Sequence, residues 1–168
     1  LKTPRGGYDG KGVLRVERAE QATSGTAAEW FERSAAADSE EGLLAEEAVA
    51  FSRELSAMVA RRASGETVAW PVVESIQVAG VCDEVIAPAP GLDPEVARAA
   101  QAAAVKLAHD LAVTGVMAVE LFETPGTETG FAVNELAMRP HNSGHWSMDG
   151  SVTGQFEQHL RAGLDWPL

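Results

Sequence analysis

Only one cysteine, Cys82, stands among the 168 residues. That excludes an internal disulfide and a cysteine-built metal cage, and its apolar flanks predict a packed thiol. Positive charge is also scarce. Thirteen Lys and Arg face 25 Asp and Glu, a net charge of −12, and the basic residues form no stripe. A polyanion bound along the surface, nucleic acid above all, is therefore not an expected partner. No apolar run approaches the length needed to cross a bilayer and no signal peptide is visible, so the reading is a cytoplasmic protein with no membrane partner. There is no Gly-x-Ser-x-Gly elbow, and Cys82 has no local base, which leaves serine or cysteine nucleophilic catalysis unsupported. Internal repeats and low-complexity tracts are missing apart from alanine enrichment that helices explain. An initiator Met is missing as well, and the chain opens on what reads as a strand end running into a glycine-rich loop, so we expect an excerpt of a longer protein. With 45% hydrophobic residues, it has enough apolar material for a core.

The pattern of what is present predicts an α+β fold, a largely antiparallel sheet flanked by helices. Val13 to Val16 reads as a short strand, Ala19 to Ala37 as a helical stretch broken near Gly25, and Leu43 to Val49 as the start of a strand series. Phe51 to Arg62 and Thr67 to Ser75 flank Ser64-Gly65-Glu66, which predicts an antiparallel hairpin. Val78 to Ile86 reads as a further strand. Asp93-Pro94 supplies an N-cap and a proline at the first helical position. From there Val96, Ala100, Ala103, Leu107 and Leu111 recur at helical spacing, up to a stop near Gly115. Val116 to Phe122 and Phe131 to Leu136 form a second hairpin through Pro125 to Gly130, and Gln155 to Leu164 closes the chain as a helix.

Two stretches carry most of the chemistry. Arg139-Pro-His-Asn-Ser-Gly-His-Trp146, just after Asn134-Glu135, sets cation, imidazoles, amide and hydroxyl beside a carboxylate without periodicity. Glu120 and Glu135 lie in the two strands of the second hairpin, and the midpoint of their positions falls inside its turn. They are thus expected opposite each other, an arrangement that repels unless a cation sits between them. Mg²⁺ suits such a pair because it takes few carboxylate oxygens and leaves positions for phosphates and water. The other stretch, Lys2-Thr-Pro-Arg-Gly-Gly-Tyr-Asp-Gly-Lys-Gly12, is either a phosphate cradle built from backbone N–H groups and lysines or a tight surface turn. Glu46-Glu47-Ala48-Val49 is either a strand end that reads an adenine edge or an exposed acidic strand end. His141 and His145 stand four apart, but Pro140 and Gly144 oppose a regular helix there, which disfavours zinc. His109 and His159 read as helix-surface histidines, and the four tryptophans as core or lid residues.

On these residues the chain resembles the 5-(carboxyamino)imidazole ribonucleotide synthases of the ATP-grasp superfamily. The resemblance runs along the whole chain. It rests on Gly6-Gly-Tyr-Asp-Gly-Lys-Gly12, Phe51-Ser-Arg-Glu-Leu-Ser56, Trp70-Pro-Val-Val-Glu74, the run from Asn134 to Trp146, and Gln155-Phe-Glu-Gln-His-Leu-Arg161. It implies an ATP-grasp core lacking the amino-terminal substrate domain and the carboxy-terminal segment of the family. The implied activity is an ATP-dependent ligase reaction of purine biosynthesis. ATP phosphorylates bicarbonate to carboxyphosphate, which carboxylates the amine of 5-aminoimidazole ribonucleotide and leaves ADP and phosphate. By motif position, Lys2 and Gly7, Tyr8, Asp9, Gly10, Lys11, Gly12 and Val13 would contact ATP phosphates. Glu46, Glu47, Ala48 and Val49 would meet adenine, and Glu54 the ribose. Glu120 and Glu135 would hold Mg²⁺, with Asn134 near the phosphates. Tyr8, Asp9, Lys11, Arg139, His141 and Asn142 would face the nucleotide substrate and carboxyphosphate, with Arg139, His141 and Lys11 as the catalytic set. A homodimer is the implied assembly.

Two positions depart from the pattern. Gln77 stands where many relatives place a histidine near ATP, and Met138 replaces a proline ahead of Arg139. Other readings the residues allow are a different ATP-grasp ligase, formate- or biotin-dependent, and a nucleotide-binding fragment without turnover.

Overall fold

The computed structural model describes residues 1–3, 12–36 and 42–168. They fall into two compact units, 1–49 with 79–81, and 50–78 with 82–168. In the first unit, Lys2 forms isolated antiparallel bridges with both Val13 and Leu44. Among the described residues, the expected strands over Val13 to Val16 and Leu43 to Val49 appear as these isolated bridges, and beside the Lys2–Val13 bridge Leu1 and Leu14 exchange backbone hydrogen bonds at 2.8 Å. Helices α1 (Ala19–Ala22) and α2 (Gly25–Ala36) follow, and the break between them falls at Thr23 and Ser24. Both hydroxyls donate to the carbonyl of Glu20, at 3.1 and 3.2 Å, and so end α1 before Gly25 enters α2 with φ of 58°. The rest of the expected stretch, at Ala37, lies outside the described residues.

The second unit is built on one sheet. Its strands are β1 (Glu54–Arg61), β2 (Thr67–Ala69), β3 (Val73–Val78), β4 (Val81–Ile86), β5 (Gly115–Glu123) and β6 (Phe131–Ala137), in the order β4-β3-β1-β5-β6 with β2 also on β1. β1 pairs antiparallel with β2, β3 and β5, and β5 with β6, in keeping with the α+β reading. The expected strand over Thr67 to Ser75 is two. Pro71 has no N–H to donate and restricts Trp70 before it, so β2 and β3 follow one another along the same edge of β1. The expected strand from Val78 likewise starts later, at Val81. Ala79 and Gly80 take φ of 52° and 80°, the paired left-handed geometry that closes a two-residue hairpin between β3 and β4.

Helix α3 (Pro94–Asp110) begins as the sequence predicts, with the Asp93 carboxylate accepting from Glu95 N–H at 2.7 Å. It ends at Asp110 rather than Gly115, because Ala112 turns left-handed at φ 49°. Its buried stripe is Ala100, Ala104 and Ala108, packed on Leu55, Ala57, Val59, Met117, Val119 and Leu121. Small side chains at that spacing let the helix lie close to the sheet. The opposite face carries Met58, Ala60, Val116 and Ala118, covered in part by Trp70 and Leu168. Helices α4 (Ser147–Gly150) and α5 (Gln155–Gly163) end the chain. Among the described residues no helix is long and apolar enough to cross a membrane.

Candidate functional site

Strand alternation puts Leu55, Ala57 and Val59 toward α3, so Glu54, Ser56 and Met58 point to the other face. On that face Ser56 pairs with Glu120, and Glu120 pairs with Glu135. The three residues form a row across β1, β5 and β6, and the opposition of the two glutamates expected from the sequence is present. The next pair is Leu121 with Val133, which leaves Asn134 as the extra residue of a β-bulge. Counting along a hairpin cannot reveal a bulge. Its effect is to kink β6 and re-aim its side chains at the residue beside Glu135.

Glu54, two residues along β1 from Ser56, completes a cluster of carboxylates. Its pKa is raised, chiefly by burial and then by the charges of Glu120 and Glu135. An ionised Glu54 therefore costs stability at neutral pH, and the cost is relieved as the pH falls through its raised folded value. A cation among these oxygens would reverse the sign. Among the described residues no group of three or more His, Cys, Asp or Glu side chains forms a metal cage. Two opposed carboxylates with hard oxygen donors fit Mg²⁺, which uses one or two carboxylates and takes its other ligands from phosphates and water.

Past β6 the chain passes Arg139 and Pro140 and brings His141 back over this face. Arg139 is exposed, and its Nη1 donates to the Pro140 carbonyl at 3.0 Å. His141 is buried. Its Nε2 is 2.9 Å from Glu120 Oε1, and its Nδ1 is 2.9 Å from Ser143 Oγ, which in turn lies 2.7 Å from Ser56 Oγ. The backbone of His141 is held as tightly as the ring. The Gln155 amide, fully buried at the start of α5, accepts from His141 N–H at 2.8 Å and donates to His141 C=O at 2.9 Å. Gly144 is the only fit beside it, since a Cβ there would come within 2.6 Å of both Gln155 Oε1 and Met58. The turn Asn142–Gly144 is a single 3₁₀ turn, which agrees with the expectation against a regular helix. Asn142 is exposed and lines a shallow cleft of about 480 Å³ with Cys82, Asp83, Val85, His145 and Trp146. Cys82 is partly exposed, its Sγ 3.5 Å from Ser75 Oγ, so the thiol is less packed than its flanks predicted. Gln77 Nε2 donates to the same Ser75 hydroxyl at 2.9 Å.

In the first unit, Lys2 and Glu46 form an ion pair at 2.8 Å, while Glu47, Ala48 and Val49 are exposed. Gly12 and Val13 adjoin Lys2 through the Thr3 N–H bond to the Gly12 carbonyl and the Lys2–Val13 bridge. Gly7, Tyr8, Asp9, Gly10 and Lys11 lie outside the described residues.

Several residues near the site escaped the sequence reading. His159 is no ordinary surface histidine. Its Nδ1 accepts the N–H of Val116 at 3.1 Å, and its ring lies so close to Gly115 that a Cβ there would be 2.7 Å away. A ring bonded to a backbone amide 43 residues earlier leaves no trace in local periodicity. Arg53, the neighbour of Glu54, bonds Glu123 and Glu74, each at 2.7 Å, and the Pro90 carbonyl at 2.7 Å. The bond to Arg53 holds the Glu123 carboxyl below the ordinary range, against burial and with help from Ser52. Phe51 stacks on Phe122 at 4.4 Å beside it. These contacts give physical content to the Phe51-Ser-Arg-Glu run. Arg53→Met should lower stability by about 2–4 kcal/mol, since it strands two half-buried carboxylates. Chemical denaturation at neutral pH measures the loss. A depressed carboxylate contributes in full above its unfolded value, 4.5 for Glu123, and loses that contribution as the pH falls through the lower folded value. The gap between wild type and variant should therefore narrow in acid, and a gap that widens there would exclude the pair as its cause.

A family model for the ATP-grasp domain matches residues 1–156. The chain belongs to the ATP-grasp family. Within ATP-grasp proteins it is 53% identical to the N5-carboxyaminoimidazole ribonucleotide synthase of Corynebacterium ammoniagenes, over all of this chain and 40% of that protein. Two structures from Aspergillus clavatus are also similar. Carboxyaminoimidazole ribonucleotide synthase complexed with ATP superposes at a TM-score of 0.80 with 31% identity, over 99% of this chain and 41% of that one. The N5-carboxyaminoimidazole synthase in complex with ADP and 5-aminoimidazole ribonucleotide gives a TM-score of 0.69 and 34% identity, over 77% of this chain and 34% of that one. The chain thus spans about two fifths of the length of the first curated relatives it matches, 40% and 37%.

Proposed function

We propose that this ATP-grasp chain is the nucleotide-binding core of a 5-(carboxyamino)imidazole ribonucleotide synthase, and that a substrate domain and a further basic segment complete the site. The observation that carries the reading is the row Ser56, Glu120, Glu135 with His141 closed over it, in a chain that matches such synthases along its whole length. ATP and bicarbonate react first. A bicarbonate oxygen attacks the γ-phosphorus, the bond to the bridging oxygen breaks, and ADP leaves from carboxyphosphate. The amine of 5-aminoimidazole ribonucleotide then takes the carboxyl carbon as phosphate departs, and the amine releases a proton.

The residue roles follow the chemistry each side chain offers. Lys2, Gly12 and Val13, with Gly7, Tyr8, Asp9, Gly10 and Lys11, bind phosphates through ammonium and backbone N–H groups. Glu46, Glu47, Ala48 and Val49 line the adenine, Glu54 accepts from the ribose, and Asn134 and Gln77 offer amides to the nucleotide. Glu120 and Glu135 hold Mg²⁺, which when bound neutralises charge on the transferring phosphoryl group. Arg139 stabilises the anionic carboxyphosphate, His141 handles the amine proton, and Lys11, Tyr8, Asp9 and Asn142 contact the imidazole nucleotide. A homodimer in the cytoplasm is the setting we assign.

The test is ADP release by the intact protein with ATP and Mg²⁺. Turnover that needs both bicarbonate and 5-aminoimidazole ribonucleotide, with the carboxylated amine as product, is the expected result. Turnover driven instead by formate or by biotin and bicarbonate, or no turnover with any acid, would replace the reading.

A further inference from the structure

Arg53 directly precedes β1, the strand that β3 and β5 flank. Continuing the β1–β5 register one step past Glu54 and Phe122 sets Arg53 opposite Glu123, whose N–H donates to the Arg53 carbonyl at 3.0 Å. On the other side Glu74 of β3, the partner of Leu55, is its diagonal neighbour. The guanidinium reaches both. Its Nε donates to Glu123 Oε2 and its Nη1 to Glu74 Oε2, each at 2.7 Å, and Nη1 also donates to the Pro90 carbonyl on the way into α3. We propose that Arg53 is a positioning residue for nucleotide binding, which fixes the start of β1 across the sheet so that Glu54, on the opposite face, is held toward the ribose. The inference rests on the reading above for what Glu54 contacts.

Glu54 needs such a restraint. Among the described residues no hydrogen bond holds its carboxylate, and the charges of Glu120 and Glu135 repel it. A side chain repelled by its neighbours keeps its aim only if its own backbone is fixed. Glu54 pairs with Phe122 of β5, whereas the β1–β3 pairing begins at Leu55, so the tie toward β3 at this level is the bond from Arg53 to Glu74. Toward β5 the hold is double, since Ser52 N–H donates to the Glu123 carbonyl at 3.0 Å and Ser52 Oγ to its carboxylate at 2.9 Å. Stability alone does not call for ion pairs here. Apolar side chains of similar volume hold strands together as well, because desolvating charges offsets much of their attraction, whereas a planar fork between two carboxylates admits one geometry. The three side chains are 18, 19 and 21% exposed, so solvent loosens that geometry only in part.

Calorimetric binding of Mg-ATP and of its 2′-deoxy and 3′-deoxy analogues to the intact protein tests the proposal. In the wild type at least one deoxy nucleotide should bind about 10-fold or more weakly than ATP, the scale of one hydrogen bond to a charged group, and Glu54→Ala should erase that preference. In Arg53→Met the preference should fall to about twofold or less although Glu54 is still present. That variant also strands two carboxylates, so a second one carries Glu74→Gln and Glu123→Gln beside Arg53→Met, and it serves alone should the first fail to fold. It should melt closer to the wild type and keep the reduced preference. A purely structural clamp would instead restore the preference along with the melting temperature. A wild-type preference in either folded variant overturns the proposal while leaving the ribose reading of Glu54 in place. A wild type without preference, or a preference that survives Glu54→Ala, removes that reading and the proposal with it.

Discussion

Glu135→Gln should reduce Mg²⁺-dependent ATP turnover by about a thousandfold, roughly 4 kcal/mol of transition-state stabilisation, while the fold stays intact. The substitution keeps the volume of the side chain and removes one charge of the proposed Mg²⁺ site from the row that Glu120 and Ser56 share. Stability should rise slightly. Like charges directly opposite on a ladder cost about 0.2–1 kcal/mol, and Glu54, pushed up chiefly by burial, is pushed further by the same charges, so relieving one of them favours the folded chain. Opposite signs on activity and stability are what distinguish a metal ligand from a structural residue. ADP release measured against Mg²⁺ concentration, beside a thermal melt, reads both. Near-wild-type turnover, or a melting temperature that falls by several degrees, would make Glu135 an ordinary surface glutamate or a structural one.

The opposition of Glu120 and Glu135 was legible because hairpin geometry is local. Pro125 and Gly130 bound the turn, and halving the separation finds the partner. Helix α3 was legible for the same reason, since Asp93 and Pro94 act on the first turn alone. What the sequence concealed depends on contacts between distant segments or on one-residue irregularities. The bulge at Asn134 shifts the register by a residue that no hydrophobic pattern marks. Ser56 and Ser143 are 87 positions apart and meet only because β1 lies beneath the turn after β6. Serine composition carries no sign of that meeting. The strands expected over Val13 to Val16 and Leu43 to Val49 failed in the opposite sense. Their residues suit strands, but a ladder needs a continuous partner, and among the described residues each segment meets only the short stretch around Lys2. Alternation likewise misjudged Thr67 to Ser75, where the missing N–H of Pro71 outweighs the propensity of its neighbours.

Arg139 and His141 stand two residues apart in one family-specific run, yet their surroundings predict different losses. Arg139 is exposed, and its Nη1 donates to the Pro140 carbonyl. Arg139→Ala should leave ATP binding unchanged and lower carboxylation of 5-aminoimidazole ribonucleotide by about 100- to 1,000-fold, the scale for losing one group that stabilises a developing anion. His141 is buried, bonded to Glu120 Oε1 and clamped by Gln155. His141→Ala would unpair Glu120, take one of its two partners from the Ser143 hydroxyl and open a cavity, so it should weaken Mg²⁺-dependent nucleotide binding as well as carboxylation, and lower stability by about 2–4 kcal/mol. Calorimetric titration with Mg-ATP beside a coupled product assay separates the two variants. Loss of ATP binding in Arg139→Ala would move that guanidinium to the nucleotide. Unchanged ATP binding and stability in His141→Ala would show that Glu120 holds its place without the ring, and His141 would then act on the amine alone.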